Sequence, residues 1–230
     1  MTWNELAEWW RSELGEDPAY EADVTPIVLD LLEASAGERV LDVGCGEGRL
    51  MAELVAVGVH PYGVDVSAEL LARARMFGPV ARVMLPSLEC IRDGVFDGAL
   101  VSLVLEHLED EDTFFSELGR VVRPGGRLAV VVNHPVFTAP ESAPIQEDDE
   151  VLWRTGRYFD RGYSDEKAGD GAIRFHHRTM AELLNAASVG GWDLERMVEQ
   201  GASAAQIERH PALSQQRHIP RLLGAAWRRR

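Results

Sequence analysis

Arg39-Val-Leu-Asp-Val-Gly-Cys-Gly-Glu-Gly-Arg49 passes from a short apolar run into three glycines at alternate positions, and a helical period then continues to Val57. That order reads as strand, tight turn and helix. Pro61-Tyr-Gly-Val-Asp-Val is the next strand, and Ala68 to Met76 the next helix. A strand is expected over Ala81–Leu85 and another over Phe96-Asp-Gly-Ala-Leu-Val-Ser-Leu. Thr113 to Val122 is helical and is stopped by Arg123-Pro-Gly-Gly, after which Arg127–Asn133 runs without polar interruption. A strand apolar on both faces belongs in a parallel sheet covered by helices. Upstream, Met1–Arg11 carries Trp3, Leu6, Ala7 and Trp10 at helical spacing, and a second helix follows Pro26, over Ile27–Ala34. Strands alternating with crossover helices specify an α/β fold, a doubly wound and mostly parallel sheet.

The rhythm breaks after Asn133. Phe137–Arg174 holds prolines, the acidic run Glu147-Asp-Asp-Glu and scattered glycines, and reads as an irregular insertion. Its interleaved Trp153, Tyr158, Phe159 and Tyr163 favour a lid over a disordered loop. Helical period resumes at Thr179–Ala187, then come strand-like residues Trp192–Val198 and an apolar stretch over Ile219–Trp227. One domain is expected, divided into an N-terminal helical cover (1–36), a core (37–136), a lid (137–175) and a closing helix with strands (176–230). The final Trp227-Arg-Arg-Arg reads as a solvated tail.

With 230 residues, 46% apolar, the chain is long enough for a sizeable core. A formal charge of −15 repels a phosphate backbone and argues against a nucleic-acid partner. No run of about 18 apolar residues occurs, and the start lacks a secretory pattern, so no membrane association and a cytoplasmic location are expected. Cys45 and Cys90 form neither a disulfide framework nor a metal pair, so no metal is expected.

The glycine loop lies at the carboxyl edge of the sheet, where doubly wound folds bind ligands. Gly44, Gly46 and Gly48 permit positive φ and let a ligand rest against the backbone; the plainer reading is a tight turn. A dinucleotide fingerprint wants glycine at position 49, which is Arg. Asp42 repels a pyrophosphate and welcomes an ammonium or sulfonium. Asp65, at the end of the second strand, is placed to accept two ribose hydroxyls, or else to cap the helix beginning near Ala68.

These segments together resemble the class I S-adenosylmethionine-dependent methyltransferases, in particular their small-molecule branch. The resemblance covers Glu38 to Asn133 and rests on Leu41-Asp-Val-Gly-Cys-Gly-Glu-Gly, Gly63-Val-Asp-Val-Ser, Phe96-Asp-Gly-Ala-Leu-Val-Ser-Leu-Val-Leu-Glu-His-Leu, and Leu118-Gly-Arg-Val-Val-Arg-Pro-Gly-Gly-Arg-Leu. It implies a Rossmann-like sheet of seven strands, the last antiparallel. It also implies that Asp42 and the backbone of Gly44, Cys45 and Gly46 face the methionine moiety, Asp65 with Val66 the ribose, and the turn at Ser102 and Leu103 the methionyl amine. The family's usual Asp-Ala pair at the adenine is absent, and Ser87 with Leu88 are its nearest substitutes.

The reaction implied is methyl transfer to an oxygen, nitrogen or carbon of a small molecule, by a chain that is a monomer or homodimer. His134, projected by Asn-His-Pro from the end of a strand, and His107 in Glu-His-Leu are the candidate proton acceptors. His176 and His177 sit at the far end of the lid, where at most one faces a pocket. Trp153, Tyr158, Tyr163 and His176 are the candidate substrate contacts, against a private hydrophobic cluster as the plainer reading. Two other functions fit less well: a protein that binds this cofactor without methyl transfer, or uses it in another reaction class, and a nicotinamide oxidoreductase.

Overall fold

The computed structural model describes residues 20–148, 150–168 and 171–230. The expected helix at Met1–Arg11 lies outside the described residues. After a π-turn at Tyr20–Val24 come α1 (Thr25–Leu32), β1 (Arg39–Val43), α2 (Arg49–Ala56), β2 (His60–Asp65), α3 (Ala68–Ala74), β3 (Val80–Arg82) and β4 (Phe96–Ser102). A 3₁₀ turn at Leu105–His107 leads to α4 (Glu111–Val121) and β5 (Val122–Asn133). Then follow α5 (Pro135–Thr138), β6 (Ala143–Glu147), β7 (Glu150–Arg154), β8 (Gly162–Ala168), β9 (Gly171–His177), α6 (Met180–Val189), β10 (Trp192–Gln200), α7 (Ala204–Arg209) and β11 (Leu222–Arg229).

Seven strands form one sheet in the order β3-β2-β1-β4-β5-β11-β10. Neighbours from β3 to β5 are parallel, and β11 runs antiparallel to both β5 and β10. The doubly wound expectation and its antiparallel last strand are both met.

The strands are apolar on both faces because both faces are covered. Leu41, Val43, Val101 and Val130 point into one cluster with Phe114, Phe115, Leu118, Leu183, Trp192 and Trp227. Their neighbours Val40, Leu100, Ala129 and Val131 point into the other, with Ile27, Val28, Leu31, Leu32, Leu50 and Leu54. The helices begin where side chains satisfy their open amides: Ser67 accepts from Leu70 N, Asp110 from Thr113 N, and Thr179 forms a capping box with Glu182.

Three expectations are corrected. The stretch after Asn133 is mostly regular: β6 pairs with β7 and β8 with β9 as two antiparallel hairpins. Their strands are short and only partly buried, with Val151, Ala168 and Ile173 the buried apolar residues, so apolar alternation marks them only weakly. The strand expected at Ala81–Leu85 is shorter, Val80–Arg82, and Val83–Leu85 leave the sheet to become a wall described below. The closing Trp227-Arg-Arg-Arg is no solvated tail: β11 runs to Arg229, Trp227 is 1% exposed, and Arg229 donates to the carbonyls of Gly119 and Gly191.

Candidate functional site

In the strand order, β1 lies between β2 and β4, and the chain leaves it to opposite sides, which makes the carboxyl ends of β1 and β4 the switch point of the sheet. A cleft of about 230 Å³ opens there, lined by Asp42, Gly44, Cys45, Asp65, Val66, Ser102, Leu103 and His107 of the expected residues. Tyr20, Arg49, Met84, Leu85 and Val104 complete much of its wall.

The glycine loop has the conformation its sequence calls for. Gly44 and Gly46 have φ of +73° and +53°. A Cβ on Gly44 would meet Val104 Cγ2 at 2.3 Å, whereas a Cβ on Gly46 would enter open space. Gly44 is therefore required by the fold, and Gly46 leaves a backbone surface bare for a ligand. The Gly46 amide donates to Asp65 Oδ2 at 3.0 Å and the Ser67 amide to Asp65 Oδ1 at 2.8 Å, which fixes that carboxylate at the end of β2. Each oxygen keeps a lone pair for a further donor. Burial raises the Asp65 pKa from its ordinary value, and the amides of Ser67, Gly46 and Val66 oppose that rise.

Asp42 is 1% exposed, and its Oδ2 has no hydrogen-bond partner among the described residues. Burial first, and the Asp65 charge second, push its pKa up to about 8. A buried carboxyl oxygen without a donor is uncommon in a folded protein and marks a place for one. Tyr20 hydroxyl and Ser102 Oγ lie 2.9 Å apart at the same edge, and burial, the largest cause, pushes the tyrosine up to about 12, so it stays a neutral phenol. Burial likewise pushes the Cys45 thiol up, with Asp42 and Asp65 adding to the rise, so it is no nucleophile.

His107 Nδ1 lies 3.0 Å from the Arg174 carbonyl, and its ring meets Phe175 edge-on at 4.7 Å. A carbonyl only accepts, so Nδ1 carries a proton. His134 is placed differently from expectation. It is 2% exposed and lines no part of the cleft; Nδ1 accepts from Val136 N at 3.1 Å, and Nε2 donates to Glu199 Oε1 at 2.9 Å. Capping α5 turns the ring back toward β10, and both nitrogens are engaged within the chain, away from the cleft.

Ser87 and Leu88 also lie outside the cleft. Leu88 is fully buried in the core and its amide donates to Glu117, while Ser87 Oγ accepts from Glu89 N. Met84 and Leu85 occupy the wall instead. The expected aromatic contacts separate in the same way. Trp153 stacks on Phe137 at 4.6 Å and donates to the Val136 carbonyl, and the Tyr158 hydroxyl accepts from Met180 N. Tyr163 is 55% exposed under the Arg174 guanidinium. The private cluster describes Trp153 and Tyr158. His176 and His177 diverge as expected of neighbours on a strand: His177 is buried against the Tyr158 carbonyl, and His176 lines a small second cavity. Tyr20, Met84 and Leu85 carried no local sequence signal, because only the topology brings them to β1.

The architecture and site define a ligand-binding α/β domain with an acidic, glycine-floored crevice. Residues 41–130 match a family described as "Methyltransferase domain". A ubiquinone biosynthesis O-methyltransferase of Xanthomonas oryzae pv. oryzae is 31% identical over 130 residues, 52% of this chain and 54% of that protein. The chain spans about half the length of the curated relatives it matches. A structure of an S-adenosylmethionine-dependent methyltransferase from Mesorhizobium loti superposes with a TM-score of 0.78 at 29% identity, covering 94% of this chain and 100% of that one. The geranyl diphosphate C-methyltransferase of Streptomyces coelicolor A3(2), at 14% identity and TM-score 0.68 over 94% of this chain and 81% of that one, shares the fold. Residues 41–130 thus carry a methyltransferase domain, and the chain around them is similar to S-adenosylmethionine-dependent methyltransferases.

Proposed function

We propose that this protein binds S-adenosylmethionine in the crevice between Asp42 and Asp65 and transfers its methyl group to an oxygen, nitrogen or carbon of a small molecule. The observation that carries the reading is the buried, partnerless Oδ2 of Asp42 above a loop whose Gly46 leaves open space. An ammonium or sulfonium stabilises the ionised form of this carboxyl group and so displaces its proton, whereas a phosphate opposes that ionisation. Asp65, held by two amides, is suited to the ribose hydroxyls, and Val66, Leu70, Met84 and Leu85 offer apolar walls for a flat base. Two similar proteins support this reading, an S-adenosylmethionine-dependent methyltransferase of Mesorhizobium loti and an O-methyltransferase of Xanthomonas oryzae pv. oryzae.

When bound, this cofactor supplies a methyl group on a sulfonium that is already a good leaving group. The chain's own task is then to orient the acceptor and exclude water, which supplies roughly 7–11 kcal/mol in favourable cases. His107, whose ring lines the cleft, is the residue suited to take a proton from a hydroxyl or amine. We read 137–175 as a lid built from the two hairpins, and the acceptor as entering beneath it. The acidic surface favours a small-molecule partner over nucleic acid, and the protein acts in the cytoplasm as a monomer or homodimer. Among the described residues no helix is long and apolar enough to cross a membrane, and no cluster of metal-ligating side chains occurs.

Calorimetric titration separates the alternatives. S-adenosylmethionine is expected to bind to the native chain and at least tenfold more weakly to Asp65→Ala, with NAD giving no heat. NAD binding, or equal affinity in the variant, would overturn the assignment. Mass spectrometry of metabolite extracts incubated with the chain and labelled cofactor should reveal products heavier by one methylene; silence across varied extracts would favour binding without transfer.

A further inference from the structure

Beside the cofactor crevice lies a second cavity, of about 30 Å³, lined by Glu106, Asn133, Thr138, His176 and Arg178 with apolar Leu105, Val132, Pro135 and Leu183. One turn divides the two spaces: His107 and Leu108 face the crevice, and Leu105 and Glu106 face the small cavity. Glu106 is 5% exposed. Its Oε1 accepts from the side-chain and main-chain amides of Asn133 at 2.9 and 3.3 Å, at the carboxyl end of β5. Its Oε2 is buried and has no hydrogen-bond partner among the described residues. Arg178, 7% exposed, stands in the same wall, donating to the carbonyls of Leu105 and Leu108 and pairing with Glu111 at 2.8 Å. A buried positive charge is thus already close by, and what Oε2 lacks is a hydrogen-bond donor.

We propose that this cavity is a subsite of the methyl acceptor, taking one neutral hydroxyl of an otherwise apolar molecule, which donates to Glu106 Oε2. The volume suits a group of one or two heavy atoms. The apolar half of the wall suits the carbon that bears the hydroxyl, and a second ammonium would crowd the Arg178 guanidinium. Thr138 and His176 belong to α5 and β9, the two ends of the expected lid, so an acceptor seated here would be gripped between lid and sheet. The inference rests on the methyltransferase reading for the word acceptor, but the hydroxyl site stands on its own geometry.

Benzyl alcohol, ethylbenzene and benzylamine are alike in shape and differ in the group presented, so their affinities for the full chain, read by calorimetry or nuclear magnetic resonance titration, test the site. Benzyl alcohol is expected to bind at least tenfold more tightly than ethylbenzene, and Glu106→Ala should erase that preference while moving the S-adenosylmethionine Kd less than twofold. A crystal of the unaltered protein soaked in benzyl alcohol, which avoids any folding defect of the variant, should place the hydroxyl on Glu106. An unchanged preference in the variant, tighter binding of benzylamine, or a cavity holding only water would overturn the proposal. Failure of the native chain to bind S-adenosylmethionine would sink the methyltransferase reading instead, and the alcohol comparison on the cofactor-free chain would still decide the subsite.

Discussion

Asp42 is a carboxyl group that the fold keeps at a cost until a ligand arrives. With its pKa at about 8 in the folded chain and near 3.8 when unfolded, it is protonated in the native state across a range where the denatured state has already lost the proton. Its contribution therefore falls as pH rises from about 4 to about 8. Asp42→Asn should raise the Tm of the free chain at pH 8 and leave it unchanged at pH 4, as read by calorimetric melts. A cationic ligand reverses the sign: binding below pH 8 should release about one proton and tighten by up to about tenfold per pH unit, a dependence that the Asn variant loses. An equal slope in both proteins would remove Asp42 from the ligand. Asp42 and Asp65 were legible because strand ends in this fold face the ligand edge whatever the rest of the chain does. Tyr20, which reaches Ser102 across 82 positions, was not, and His134 misled because the cap on α5 reverses its ring after the strand has aimed it outward.

At the scale of elements, the turn Leu105–His107, α4 and the start of α6 are joined through Arg178. Its guanidinium reaches two carbonyls and a carboxylate, and burial, the largest cause, followed by the nearby Arg161, holds its pKa down at about 10. Removing it leaves Glu111, 4% exposed, with the exposed Arg161 as its ion partner among the described residues, and Glu106 with less compensation. Arg178→Met should cost about 3–5 kcal/mol in urea denaturation. Arg178→Lys should recover little of it, because a point charge cannot reproduce the fork. A loss under about 1 kcal/mol would mean that water replaces these contacts. The parallel strands and their helices were readable because burial on both faces leaves uninterrupted Val, Leu and Ala. The hairpins β6–β7 and β8–β9 were not, because short strands that bury only a few apolar residues, such as Val151 and Ile173, leave a weak alternation.

Across the whole molecule, the two hydrophobic layers meet the sheet all the way to its antiparallel edge, where Trp227 packs edge-on against Phe115 at 5.9 Å and Trp192 donates to the Phe115 carbonyl. Trp227→Ala should cost about 3–5 kcal/mol, measured by chemical denaturation, without altering the ligand crevice at the other half of the sheet. Loss of cofactor affinity in a variant that remains folded would show the two halves to be coupled. The position of β11 has a further consequence during synthesis on the ribosome. Residues 222–229 occupy the slot between β5 and β10, both made earlier, so a nascent chain displays β5 as a raw hydrogen-bonding margin until that late segment emerges. The crevice takes its described lining from residues no later than Leu108, so every one of those residues is made more than a hundred positions before the strand that seals the other edge of β5.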